Sequence, residues 1–379
     1  MEEVLGIPLA DDYVRTRKGK KQLDRIAAAV GKLNEGLTSG RAEFLARNYL
    51  KDSEIRKAYA LYYTTTNMLK PFIPLKELFI KHDLTKPLHA LDLGAGTGAA
   101  TIGLLHFLHR SDFKSEVHIV LVDVVDRNLA DASKIIRAYA TSLPFTVTIE
   151  TRVKNITEHG LTFEKEFDLI MMMNTLNELD PAGDNKLLQM FASSLRSDGA
   201  IVLIDPAARP SSRRLLEFRD VAVDAKFTVY APCTRQAGCP ALLDEGDWCH
   251  TEVSWDRPAF IKYIDDLIGT LRLSLKYSYI TINKNGETLH DRLGHQTLSR
   301  VVSEVLDEKG RVRFFLCDPS GRGEHFANKR DLSDANADVR QLERYDLIQI
   351  NNIEHREHDS RITEASTVNI VLPNTGARY

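Results

Sequence analysis

Leu91-Asp92-Leu93-Gly94-Ala95-Gly96-Thr97-Gly98 decides the fold of this chain. An apolar run over 88–93 leads into three alternating glycines, and an apolar helical pattern over 97–109 leads out of them. Glycines so spaced permit a tight turn and let the backbone approach a ligand closely. The next apolar run, over 118–124, holds Ile119-Val120-Leu121-Val122-Asp123, and Asp123 stands 25 positions after Gly98. That distance suits a strand–helix–strand unit, in which an acidic residue at the second strand's end can accept hydrogen bonds from a ribose diol.

Outward from this unit, strands and helices alternate. The pattern predicts a helix over 126–142, strands over 145–153 and 167–173, a helix over 185–195, a strand over 200–205 and a helix over 212–225. Several strands are unbroken apolar runs, as expected where helices cover both sheet faces. The alternation argues for a parallel, doubly wound α/β sheet. Residues 231–257 interrupt it without any clear period. A helix over 259–270 and strands over 271–282 and 311–316 follow, and these strands are expected to complete the sheet. Upstream, residues 1–85 read as mostly helical and basic, with a break near Lys70-Pro71-Phe72-Ile73-Pro74. Beyond about 319 the chain is polar, with strand-like runs at 347–350 and 367–372. The expected division is therefore a helical region over 1–85, an α/β domain over 86–318 with an insertion at 231–257, and a small β-rich extension over 319–379.

A dinucleotide fold normally shows G-x-G-x-x-G. Here the third glycine comes one residue early, and Asp92 precedes the loop. That pattern resembles the class I S-adenosylmethionine-dependent methyltransferases, whose Rossmann-like sheet is the fold it implies. The resemblance implies that Gly94, Gly96 and Gly98 shape the methionine and ribose pocket, that Asp92 approaches the methionine ammonium, and that Asp123 binds the ribose hydroxyls. After the fourth strand the chain reads Met172-Met173-Asn174-Thr175-Leu176-Asn177-Glu178-Leu179. This is not the N/D-P-P-Y/F of amino-group methyltransferases, and no Cys stands in the first 232 residues to methylate a pyrimidine carbon. Asn174 is assigned to the cofactor pocket, with Asn177 and Glu178 as neighbours; the alternative is that all three cap the following helix. No catalytic residue and no methyl acceptor is identified.

The four cysteines are Cys233, Cys239, Cys249 and Cys317. Three fall within 17 residues as C-x5-C-x9-C, in the context Ala231-Pro232-Cys233, Gly238-Cys239-Pro240 and Asp247-Trp248-Cys249-His250. The fourth ends a strand-like run, Phe314-Phe315-Leu316-Cys317. Disulfides are disfavoured, because nothing indicates an oxidising compartment. Structural zinc, held by four thiolates or by three and His250, lacks its usual C-x2–4-C spacing. An iron–sulfur cluster takes four thiolates at irregular spacing. Thiolates suit both metals, so ligand type does not choose between them.

These features together resemble one family: the Rsm-type methyltransferase-like family of the mitochondrial small ribosomal subunit, with its bacterial relatives. The likeness spans about 40–335 and includes Ala58-Tyr59-Ala60-Leu61-Tyr62-Tyr63 and Asn328-Lys329-Arg330-Asp331. It implies a 4Fe-4S cluster on all four cysteines, with zinc as the alternative. It also implies association with the small ribosomal subunit or its precursor rRNA, in assembly and translation. The methyltransferase fold would be present whether or not methyl transfer is retained. Thr234–Ala237 departs from the more Pro- and His-rich loop of the family but leaves the ligand positions intact.

Composition bounds these readings. The chain has 379 residues, 43% hydrophobic and 27% charged, with a net charge of −3. That is ordinary for a soluble globular protein and excludes a wholly disordered or collagen-like chain. No membrane span is expected. Met1-Glu2-Glu3 and Asp11-Asp12 are unlike a signal or transit peptide, so a cytoplasmic location is expected, or the mitochondrial matrix in a eukaryote. A monomer is expected. The charge is uneven: residues 11–90 carry 16 Lys and Arg against 9 Asp and Glu. Arg15-Thr16-Arg17-Lys18-Gly19-Lys20-Lys21 is the densest part, and its apolar partners Leu23, Ile26, Ala27, Val30 and Leu33 recur at helical spacing. Two further clusters are Arg209, Arg213, Arg214 and Arg219, and Arg322, Lys329 and Arg330. Such clusters can neutralise RNA phosphates or form solvated faces.

Overall fold

The computed structural model describes residues 7–38, 52–158, 161–295 and 297–374. The described N-terminal part is helical: α1 (Asp11–Arg15), α2 (Arg17–Thr38), α3 (Ser53–Ala58), a π turn (Tyr59–Tyr63), α4 (Thr64–Asn67) and α5 (Phe72–Phe79). Leu23, Ile26, Ala27, Val30 and Leu33 of α2 are all buried, as their i, i+3, i+4, i+7 spacing requires. Asp52 caps α3 by accepting from the amides of Glu54 and Ile55 at 2.8 and 3.2 Å. The expected break is a turn before Pro71, which is the N-cap of α5.

The alternating segment gives β1 (Leu88–Leu93), α6 (Ala99–Arg110), β2 (Glu116–Asp123), α7 (Asp126–Ala140), β3 (Thr146–Val153), β4 (Phe167–Met173), α8 (Asp184–Ser194), β5 (Leu195–Pro206), α9 (Arg209–Asp224), β6 (Thr228–Ala231), β7 (Thr251–Ser254), α10 (Ala259–Ile268) and β8 (Ser274–Asn283). They form one sheet in the order β3-β2-β1-β4-β5-β8-β6, with β7 also paired to β8. The first five strands are parallel, and β8 runs antiparallel to its neighbours. This is a Rossmann-like, doubly wound α/β sheet with an antiparallel edge. Alternate residues feed opposite cores: Leu91, Leu93, Ile170, Met172, Ile201 and Leu203 pack on one face, while Ala90, Leu169, Met171, Val202 and Ile204 pack on the other. Two covered faces explain why the strands read as unbroken apolar runs. Strand order reverses between β1 and β4, so the glycine loop leaves β1 at the switch point, where open α/β sheets place ligands.

A second sheet follows the short helix α11 (Leu289–Leu293). It contains β9 (Ser299–Val301), β10 (Leu306–Asp307), β11 (Arg311–Asp318), β12 (Gly321–Asn328), β13 (Leu347–Asn351), β14 (Glu354–His355), β15 (Asp359–Ile362) and β16 (Thr367–Leu372). Its order is β14-β15-β12-β11-β9-β13-β16, with β10 beside β11. This corrects one expectation. The strand beginning at Arg311 does not complete the first sheet but hairpins with β12. The physical reason is its alternation: Val312, Phe314 and Leu316 are buried in the second core, and their neighbours are not. The positions by β8 are taken instead by the short β6 and β7.

A buried network joins the two sheets. Glu77 of α5 pairs with Arg300 of β9 at 2.8 Å, with side chains 2% and 3% exposed. Tyr279 donates to Glu77 at 2.7 Å. Arg300 also donates to the carbonyls of Pro232 and Tyr345 at 3.1 and 2.8 Å. Charges withdrawn from water need such pairing, although Arg300 Nη2 has no hydrogen-bond partner among the described residues.

Candidate functional site

All three loop glycines have positive φ: +72° at Gly94, +51° at Gly96 and +84° at Gly98. Their surroundings differ. A Cβ on Gly94 would enter the Thr175 side chain, and one on Gly98 would come within 3.0 Å of Ile136. A Cβ on Gly96 would meet nothing closer than the Gly94 carbonyl, at 4.0 Å. Gly94 and Gly98 are thus required by packing, whereas Gly96 faces open space that a ligand can use. The amides of Gly94 and Ala95 both donate to the Val122 carbonyl, and Thr97 meets Thr64 of α4 through their hydroxyls at 2.5 Å.

Asp123 lies beside this loop and is only 8% exposed. One carboxylate oxygen accepts from the Gly96 amide and the other from the Val125 amide, each at 2.8 Å. The Asn128 side chain and the Val124 amide also bond to this carboxylate. Burial raises the carboxyl's pKa, and these amides together with Asn128 oppose the rise. Val124, next in the chain, is 60% exposed. Asp92 is deeper, 1% exposed, and accepts from the Thr101 hydroxyl at 2.7 Å. Burial pushes its carboxyl up to about 6, against the pull of Thr101. Asn174 ends β4 at a φ of +56°, its amide bonded to the Ile204 carbonyl. Its side-chain oxygen is buried, with no hydrogen-bond partner among the described residues. The structure therefore brings Gly96 and Asp123 into direct contact and sets Asp92 and Asn174 at the ends of β1 and β4. The capping alternative is not what is seen: the side chain of Asp180 caps the turn after Glu178, and α8 has no side-chain cap among the described residues. Asn177 instead donates to Ser211 at 3.2 Å.

The four cysteines are free and half-buried, and Cys317 lies close enough to feel the other three. Burial first, then Cys233 and Cys249, push Cys239 up to about 12. Cys317 is raised further, by burial and the other three thiols. Burial raises Cys249, which the Tyr345 hydroxyl partly offsets. Thr234 donates to the Cys317 carbonyl at 3.0 Å, tying the insertion to β11. Ser212 and Ser278 donate to the Cys249 carbonyl at 2.6 and 2.8 Å. Among the described residues, no group of three or more His, Cys, Asp or Glu is arranged so that it could hold a metal ion. The surroundings nevertheless suit an anionic sulfur-rich group. Arg219 sits near Cys233 and Cys239, Arg235 near Cys317, and Arg322 and Arg344 near Cys249. The Nε atoms of Arg219, Arg235 and Arg344, Nε1 of Trp248 and Nδ1 of His250 are buried without hydrogen-bond partners among the described residues.

Four arginines of the two further basic clusters, Arg213, Arg214, Arg219 and Arg322, turn inward, which corrects their reading as outward faces, whereas Arg209, Lys329 and Arg330 are exposed. Arg213 donates to the carbonyls of Ala241, Leu242, Asp244 and Asp247 at 2.6–3.3 Å. Arg214 pairs with Asp184 at 2.5 Å. Arg219 is 0% exposed and bonds to Asp220 and to the carbonyls of Arg235 and Ala237. Arg322 pairs with Asp247 and Lys329 with Asp307. Carbonyls of the aperiodic insertion need donors, and these arginines supply them. By contrast Arg15, Arg17, Lys18, Lys20, Lys21, Arg25 and Lys32 are all exposed. Lys18, Lys21, Arg25 and Lys32 form one stripe on α2, opposite its buried face.

A family model described as the mitochondrial small ribosomal subunit protein Rsm22 matches residues 54–340. No curated protein matches the chain significantly. Similar solved structures include TehB from Haemophilus influenzae, at 13% identity and a TM-score of 0.36, covering 60% of this chain and 66% of that one. A methyltransferase from Pyrococcus furiosus matches at 13% identity and 0.33, covering 56% and 82%. An rRNA methylase from Streptococcus thermophilus matches at 10% identity and 0.33, covering 56% and 96%. No described helix is long and apolar enough to cross a membrane.

Proposed function

The chain belongs to the Rsm22 family of the mitochondrial small ribosomal subunit, and on that premise we propose that it binds S-adenosylmethionine, carries a 4Fe-4S cluster on Cys233, Cys239, Cys249 and Cys317, and acts on small-subunit rRNA. The observation that carries the cofactor reading is the contact between Gly96 and Asp123. It fixes a carboxylate beside the one loop glycine that faces open space. S-adenosylmethionine supplies an electrophilic methyl group. Asp123 would accept from the ribose hydroxyls, Asp92 would meet the ammonium, and Asn174 would use its unpartnered oxygen at the rim. Much of the rate would come from holding acceptor and methyl donor in line. The cluster reading is supported by four neighbouring thiols among guanidinium groups and unpaired N–H donors. The stripe on α2 supplies cations for rRNA phosphates. The place of action is the mitochondrial matrix in a eukaryote or the cytoplasm in a bacterium.

One observation favours a second reading, a non-enzymatic assembly factor that docks on rRNA. The region after β4, where acceptor-binding motifs stand, spends Asn177 on Ser211 and buries Leu176. A single set of measurements on anaerobically purified protein separates the readings. Calorimetry tests cofactor binding, and an iron assay with a visible spectrum tests the cluster, which zinc would not mimic. Labelled methyl transfer to small-subunit rRNA from a deletion strain tests catalysis. Incorporation supports the enzyme. Co-sedimentation with the subunit but no incorporation supports the assembly factor, and absence of cofactor binding overturns the pocket.

A further inference from the structure

We propose that Tyr345 is a positioning residue of the cysteine site, donating a hydrogen bond to the Cys249 sulfur and so tuning the bound metal from the C-terminal β unit. This rests on the metal reading above. Tyr345 lies past the matched span of 54–340, and no metal role for this segment follows from the cysteine pattern.

The tyrosine hydroxyl stands 3.0 Å from the Cys249 sulfur, which among the described residues is its one hydrogen-bond partner. Free thiol and hydroxyl can each donate. A metal-bound sulfur has given up its proton and can only accept, so the hydroxyl must then be the donor. The surrounding structure holds the residue in place. It is 2% exposed, and its φ of +73° is one that bulky side chains adopt only when their surroundings impose it. Its amide donates to the Val301 carbonyl at 2.7 Å. Its own carbonyl takes a bond from Arg300 at 2.8 Å, and the Arg300 guanidinium lies 5.9 Å from its ring centroid. Arg300 is fixed in turn by Glu77.

A hydrogen bond to a ligating sulfur draws negative charge from it. That favours the reduced, more negative state of an iron–sulfur centre and raises its potential. The test compares wild type, Tyr345→Phe and Tyr62→Phe, all purified anaerobically. Tyr62 is equally buried but bonds to Asp265, away from the cysteines, so it controls for the general removal of a buried hydroxyl. Iron content, thermal midpoint, spectroelectrochemical potential and the rate of bleaching in air are recorded. Tyr345→Phe should bind iron with a lower potential and bleach roughly tenfold faster, while Tyr62→Phe matches wild type in both. The proposal is overturned if Tyr345→Phe keeps the wild-type potential and bleaching rate, or if both variants shift alike. Wild type that holds zinc instead refutes only the cluster. Tyr345→Phe should then surrender zinc to a chelator faster than Tyr62→Phe, and equal rates overturn the proposal. Wild type that holds no metal removes both readings together.

Discussion

Replacing Asp92 by asparagine should make the folded protein more stable while weakening its cofactor pocket. Asp92 is 1% exposed, and the Thr101 hydroxyl does not offset its burial. The carboxyl's pKa rises from 3.8 to about 6. At about 1.4 kcal/mol per unit, that shift of about 2 units corresponds to about 3 kcal/mol. The sign follows from proton binding. The folded state holds this proton more tightly than the unfolded chain, so the stabilising contribution is complete below about pH 4 and is lost as pH rises through about 6. Asparagine is neutral throughout and keeps an acceptor oxygen for Thr101. Its advantage over wild type should approach about 3 kcal/mol near pH 8 and fall to about half of that near pH 5. Urea unfolding of both proteins at the two pH values measures this. Calorimetry at the higher pH should show weaker S-adenosylmethionine binding by the variant, because the ammonium no longer meets a carboxylate. A variant no more stable than wild type near pH 8, or one whose advantage grows as pH falls, would refute the reasoning.

Three further outcomes can be checked. Gly96→Ala should cost only about 1–2 kcal/mol, from its positive φ, yet reduce cofactor affinity at least about tenfold, whereas Gly94→Ala should lower the thermal midpoint far more because its Cβ enters Thr175. Reversing charge at Lys18, Lys21 and Arg25 should weaken subunit rRNA binding and flatten its salt dependence by roughly 0.7–0.9 in the log–log slope for each phosphate left without its cation; an unchanged slope in filter binding would place the RNA elsewhere. Arg213→Ala removes a charged donor from four carbonyls and should destabilise the insertion by roughly 3 kcal/mol, seen as faster proteolysis of residues 231–257 and lower metal content, with the first sheet's amide exchange little changed.

How much was legible depended on where each signal sits in the chain. Phe167–Met173 was found with its observed bounds because a strand covered on both faces is an unbroken apolar run. β6 and β7 have four residues each, beside or inside an aperiodic insertion, and give no period to read. β12 reads Gly-Arg-Gly-Glu-His-Phe-Ala-Asn and becomes a strand only through its hairpin with β11. Asp123 could be placed by spacing, but that both its oxygens take backbone amides could not. Arg213 looked like half of an outward patch because its carbonyl partners lie 28–34 residues away. Tyr345 was one aromatic in a polar tail, and its partner is 96 residues distant in sequence.

The inward arginines also explain why the net charge misleads. A fully buried guanidinium such as Arg219 is costly unless its donors are satisfied and its charge is balanced. Asp220 supplies one negative charge and Asp247 meets Arg322, but Arg235 lies near Cys317 and Arg344 near Cys249. Protonated thiols balance none of this. Metal binding would turn them into thiolates, and the guanidinium groups would then face negative charge. The same residue type therefore serves two ends in this chain. Exposed cations lie along α2, where salt screens them, while cations with carbonyl, carboxylate and sulfur partners lie around the insertion, where salt reaches them poorly. Counting charges along a sequence cannot separate these uses. Counting the acceptors around each one in the fold does.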